Sequence, residues 1–237
     1  MAYGHSELSF TDKMTQSLSM TEARKTMIRK TYMLFSLSVL GMAIGGKIGM
    51  SSPVILNLFS GWMGWVLAMV ALNAMPAFAL KFRHNPTMGT LFLFLDGLVA
   101  GFILAPMLYF AEYHMGGNIV ASASWITLAI FLAVSGYVFM SGTTWKPSRA
   151  LMSGLFFAII GAVLIGIFIP SPILTLVVGV AVGVFGVIVL TSATAEVIND
   201  ENIDSPVPGA LMLFSGVFMV FQAVMMLLMM FTGGGDD

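Results

Sequence analysis

The chain has 237 residues, of which 58% are hydrophobic and only 9% charged, with a mean hydropathy of +0.96. Soluble domains carry about 25% charged residues, and no soluble fold of this length hides so much apolar surface, so the composition specifies an integral membrane protein. The net charge of −1 says nothing about partners, which are expected to be the lipid bilayer and other membrane proteins rather than nucleic acid, and the absence of Cys excludes disulfides, thiolate chemistry and Cys-ligated metal sites.

Residues 1–29 are polar and precede the first apolar run. They lack the short apolar core and small-residue cleavage site of a secretory signal, so they are expected to remain as a cytoplasmic tail. Within them "SMTEARKTMIRKTY" suits an amphipathic helix at the membrane surface, and a disordered tail is the alternative.

A spanning helix needs about 20 mostly apolar residues. Seven segments qualify, at 30–50, 54–80, 87–111, 118–141, 149–169, 172–198 and 208–231, leaving 232–237 as a short outside tail. Turn-forming stretches separate them, among them "KFRHNPT", "GTTWKPSR" and the tight "IPSPI" between the fifth and sixth. The runs are continuous, unlike the alternating strands of a membrane barrel. The predicted fold is an all-α bundle of seven transmembrane helices within the residue range 30–231.

Lys and Arg set the orientation. Lys13, Arg24, Lys25, Arg29 and Lys30 precede the first span, Lys81 and Arg83 follow the second, and Lys146 and Arg149 follow the fourth. Seven spans put all of these on one side and only Lys47 towards the other, which predicts a cytoplasmic N-terminus and an outside C-terminus. The loop carrying Glu196, Asp200, Glu201 and Asp204 is also cytoplasmic, and acidic residues contribute little to the rule.

Lipid supplies no hydrophobic drive between helices, so small residues mark close contacts. G-x-x-x-G pairs include Gly41 with Gly45, Gly97 with Gly101, and Gly179 with Gly183. They predict that the first, third and sixth spans pack inside the bundle. Trp62, Trp65, Trp125 and Trp145 fall near span ends, as interfacial anchors do. The 21 Met and 19 Phe read as lipid-facing bulk, and no cofactor is called for.

Asp96 stands out within "TLFLFLDGLVAGFILAP". It lies roughly 13 Å inside the third span, near the midplane. A charge there costs about 3 kcal/mol on insertion scales. Asp96, Gly97, Ala100 and Gly101 share one helical face, so the carboxyl is expected to point into the bundle. Ser38, Asn73, Ser135, Thr191, Ser192 and Ser215 lie at similar depth and no Lys or Arg does. Asp96 is therefore expected to be protonated at rest. It is expected to serve mainly as a neutral hydrogen-bond donor that joins the third helix to its neighbours, with Asn73 the leading partner, the alternative being a proton- or cation-sensitive site. Glu196 lies near the cytoplasmic end of its span, Lys47 and Glu112 can snorkel outward, and His5, His84 and His114 lack metal-ligand spacing. No catalytic triad, H-E-x-x-H, phosphate loop or dinucleotide fingerprint occurs, so neither an enzyme nor a metal site is expected.

Seven spans with "RKTYMLFSLSVLGMAI" opening the first, "NPTMGTLFLFLDGLVAGFILAPML" in the third and "SATAEVI" closing the sixth resemble the Bax-inhibitor family, and most closely its bacterial YccA-type members, over residues 25–231. The resemblance implies a bundle with one helix enclosed by the others. It also implies the roles attributed to the family: a pH-sensitive calcium or cation leak, protection against stress and, for the YccA type, interaction with the membrane AAA protease of the bacterial inner membrane. The family's leak is tied to two acids on the last two helices. The matching positions here are Ala193, beside the retained Thr194, and Gly216. Neither is an acid, and Glu196 lies one turn away from the first. The expected function is thus that of a modulator or accessory subunit of a membrane protein complex in the bacterial inner membrane, the alternative being a cation or proton leak through Asp96. A transporter would show broken helices at the midplane, whereas Pro76 and Pro106 lie near span ends.

Overall fold

The structure is a computed structural model that describes residues 22–116, 118–169, 171–199 and 205–233. Residues 1–21, the acidic Asp200, Glu201 and Asp204, and the last four residues lie outside the described residues. The elements are helices throughout: α1 Glu22–Ser51, α2 Pro53–Ser60, α3 Trp62–Lys81, α4 Pro86–His114, α5 Ile119–Ser141, α6 Arg149–Phe168, α7 Pro172–Asn199 and α8 Pro206–Gly233. Helices α2, α4, α7 and α8 begin on a proline, whose missing N–H costs nothing in the first turn. Ser52, Asn85 and Ser148 cap α2, α4 and α6 by accepting from Ile55, Met88 and Leu151 N–H groups. Gly142, at φ 58°, closes α5 in the left-handed conformation that glycine adopts without strain.

Among the described residues six helices are long and apolar enough to cross a membrane, and the apolar stretch Val66–Lys81 of α3 is shorter. The chain is a multi-pass helical membrane protein. Two expected boundaries differ. The segment predicted as one span at 54–80 is two helices parted at Gly61, and Gly64 lets α3 close onto the backbone of Leu58 and Phe59. Hydropathy sums apolar character and is blind to such a fold-back. The first helix is already formed at Glu22, the first described residue, ahead of the expected start at 30, because no Pro or Gly interrupts the chain between Glu22 and Lys30. Its 30 residues reach about 45 Å, well beyond the roughly 30 Å hydrocarbon core.

Two helix pairs form the interior. Gly41, Gly45 and Gly49 of α1 face Gly97, Gly101 and Ala105 of α4. A Cβ on Gly41 would meet Phe94 O at 2.6 Å, and one on Gly49 would meet Ala105 Cβ at 2.5 Å. A Cβ on Gly45 would run into Leu98 O, one on Gly97 into Ser38 O and one on Gly101 into Met42 O. Contact positions rise together along both helices, so α1 and α4 run parallel. Helices α7 and α8 pair antiparallel. A Cβ on Gly179 or Gly183 would meet the side chains of Leu227 and Ala223 at 3.2 and 3.3 Å, while one on Gly186 or Gly216 would meet the backbones of Val220 and Leu190 at 2.9 and 2.8 Å. Helix α8 is the most enclosed element, and its Leu213, Phe214 and Phe221 share one apolar cluster with Leu93 and Ala100 of α4 and Leu190 of α7. Among the described residues helix α6 packs on α7 alone, and none of its own is buried.

The glycine contacts give a paired expectation. Ala for Gly gains about 1 kcal/mol of helix propensity, but overpacking costs about 1–3 kcal/mol and backbone cannot step aside. Gly45→Ala should therefore lower the detergent melting temperature. Gly161→Ala, where a Cβ meets nothing within 4 Å, should leave it unchanged or raise it. Equal effects at the two positions would contradict the close approach of α1 and α4.

Candidate functional site

Asp96 sits in the middle of α4 and is 3% exposed. Leu93 and Ala100, one turn to either side, are fully buried in the apolar cluster built with α7 and α8. The acid therefore faces the bundle interior. Its carboxyl makes no hydrogen bond or ion pair among the described residues.

The expected partner is elsewhere. Asn73 is exposed, and its Nδ2 donates to Met69 O of its own helix at 2.7 Å. The phase of α3 explains this. α3 meets α4 where Phe78 and Phe82 stack on Phe92, at 5.6 and 5.3 Å. Asn73 lies five residues before Phe78, about 140° around the helix from that contact. Two other polar groups at this depth are likewise turned to their own helices: Ser38 Oγ donates to Leu34 O at 3.3 Å and Thr191 Oγ1 to Val187 O at 2.7 Å. Ser192 Oγ is buried and has no hydrogen bond among the described residues.

Around the family's acid positions the packing is dense. Ala193 and Thr194 are fully buried, and the Thr194 hydroxyl donates to Leu190 O at 2.7 Å. Gly216 lies against Leu190 N and Cα from the other side. Glu196 is half-buried, and its backbone carbonyl accepts from Arg24 at 3.4 Å. No hydrogen bond or ion pair joins Asp96 to Thr194 or Glu196 among the described residues, and no group of three or more acids or histidines there could hold a metal. Lys47, Glu112, His84 and His114 are exposed.

The polar contacts between distant parts of the chain gather at one end. Arg24 donates to Val197 O at 2.8 Å, Asn199 to Thr143 O at 2.6 Å and Ser205 to Arg83 O at 2.8 Å. These bonds tie the start of α1, the α3–α4 and α5–α6 loops and the α7–α8 junction together. Every described Lys and Arg except Lys47 belongs to these segments. The ties escape a sequence reading, since Arg24 and Val197 are 173 positions apart.

A family model described as "Inhibitor of apoptosis-promoting Bax1" matches residues 24–233. The chain belongs to the Bax inhibitor family. Its relatives are bacterial. An uncharacterized protein of Campylobacter jejuni is 23% identical over 205 residues, covering 86% of this chain and 88% of that one. One of Pasteurella multocida is 27% identical over 180 residues, 73% and 75% of the two chains. An uncharacterized membrane protein of Vibrio cholerae is 27% identical over 164 residues, 67% and 69%. Within this Bax inhibitor-family chain, the deep acid lies on α4.

The placement of Asn73 is directly testable. An interhelical hydrogen bond from Asn73 contributes about 0.6 kcal/mol on average and up to about 1.7, whereas an exposed substitution stays within about 0.5 kcal/mol. Asn73→Leu should leave detergent stability unchanged. A loss of more than about 1 kcal/mol would restore Asn73 as a tie between helices.

Proposed function

We propose that this Bax inhibitor-family protein is a non-enzymatic accessory subunit of a membrane protein complex in the bacterial inner membrane. The supporting observation is α6. It packs on α7 alone, yet Ala150, Gly154, Ala158 and Ala162 recur every fourth residue along it, and the first three of them are exposed. Within lipid, such a small-residue row suits close approach by another helix. The dense contact of Gly216 with Leu190 supports the same reading, because it leaves no room for an acid where the family's leak requires one.

The topology in this reading is seven spans with the N-terminus inside. Its support is the parallel pairing of α1 with α4. If both cross the membrane in the same direction, the chain between them must return, and α2 with α3 is all that is available. The basic end then faces the cytoplasm. Tags in "KFRHNPT" should be reached only from the cytoplasm and tags after Asp237 only from outside. Finding both on one side would remove the seventh span.

The functional test is purification in mild detergent. The wild-type chain should elute in a stoichiometric complex with another membrane protein. Gly154→Leu with Ala158→Leu should release it, without loss of its own stability, because a Cβ on Gly154 meets nothing within 4 Å. A wild-type chain that elutes alone and carries a pH-gated cation flux in proteoliposomes, lost in Asp96→Asn, would replace this reading with a leak through Asp96.

A further inference from the structure

Between the first turns of α1 and the last turns of α5 lies an open groove of about 590 Å³. Helix α1 contributes Lys25, Arg29 and Tyr32, and α5 contributes Leu132, Gly136 and Phe139. On each helix these positions recur at three- and four-residue spacing, so each set is one continuous face. Beside the groove's Tyr32, Phe131 of α5 bridges to α1, stacked on Phe35 at 5.2 Å and edge-to-face with Tyr32 at 6.3 Å. The outer end opens at the basic end of the bundle. Its side opens to the surroundings of the bundle, where Leu132 and Phe139 are exposed.

The charges are arranged for an anion. Arg29 is exposed and has no ion pair among the described residues. Lys25 pairs with Glu22 at 2.9 Å, but both side chains are exposed, and such pairs are easily exchanged. Arg24 turns away to the α7 carbonyls. Two cations thus stand over an apolar trough that opens sideways. A soluble phosphate would use only the cations, and a zwitterionic lipid would bring its own cation against Lys25 and Arg29. We propose that the groove binds an anionic phospholipid, its phosphate held by Lys25 and Arg29 and one acyl chain lying along Leu132, Gly136 and Phe139. A guanidinium forks naturally onto phosphate oxygens, and basic pockets between helix ends are suited to anionic headgroups.

The test is lipid titration of the detergent-purified full chain, read by native mass spectrometry, with phosphatidylglycerol, phosphatidylcholine, glycerol phosphate and inorganic phosphate. It is indifferent to membrane orientation and to protein partners, so its failure is separate from failure of the accessory-subunit reading. Phosphatidylglycerol should bind saturably, one per chain, and more tightly than phosphatidylcholine. Lys25→Gln with Arg29→Gln should weaken it about 25-fold, at about fivefold per cation. Gly136→Leu keeps both cations and fills the trough, and since a Cβ there meets nothing within 4 Å, it should fold normally and lose the saturable site. It also carries the test alone if the charge variant fails to fold. Equal binding by wild type and Gly136→Leu would overturn the proposal, leaving only general attraction to a basic surface. So would equal affinity for the two lipids, or for phosphatidylglycerol and glycerol phosphate.

Discussion

In hydrocarbon, apolar side chains gain little by leaving lipid for protein, so helices associate only where they pack unusually closely or share polar bonds. The bundle rests on the first of these. Helices α1 and α4 touch backbone to backbone along a row of glycines, and α7 and α8 do so at Gly186 and Gly216. These two pairs carry the enclosed α8 and the apolar cluster around it. The parallel sense of the first pair also constrains the connection between them, which is why the broken α2–α3 segment matters to the topology.

Polar groups follow a division of labour imposed by the same solvent. Inside the bundle the bonded hydroxyls of Thr191 and Thr194 close onto carbonyls four residues earlier in their own helix, so the helix satisfies them without a neighbour. Bonds between distant segments occur at the basic end, through Arg24, Asn199 and Ser205. There they fix the loops without placing a polar contact in lipid. Asp96 departs from this pattern, as a buried acid whose carboxyl makes no hydrogen bond among the described residues.

Much of the fold is legible in the sequence, because continuous apolar runs and prolines at helix starts are local signals. The glycine ladders are legible too once extended: Gly49 follows Gly45 at the same spacing, and Ala105 follows Gly101. Which ladder meets which is not written locally. Gly186 and Gly216, where α7 and α8 approach backbone to backbone, belong to no G-x-x-x-G pair. The break at Gly61 is hidden because hydropathy is unchanged across it. Asn73 has the right depth but the wrong phase, and phase depends on where the partner helix lies. Family membership was legible in the motifs of the first, third and sixth expected spans, and the family match supports it.

The most direct test of the α1–α4 contact uses the absence of native Cys. A disulfide needs Cβ atoms about 3.8 Å apart, and the Gly49 and Ala105 positions, at 2.5 Å, need only a small separation to meet it. Gly49→Cys with Ala105→Cys should cross-link within one chain on mild oxidation in native membranes. Ile48→Cys with Ala105→Cys, in which residue 48 is exposed on the other side of α1, should not. Equal cross-linking of the two pairs, or none in the first, would contradict the close parallel packing of α1 and α4 on which the rest of the bundle depends.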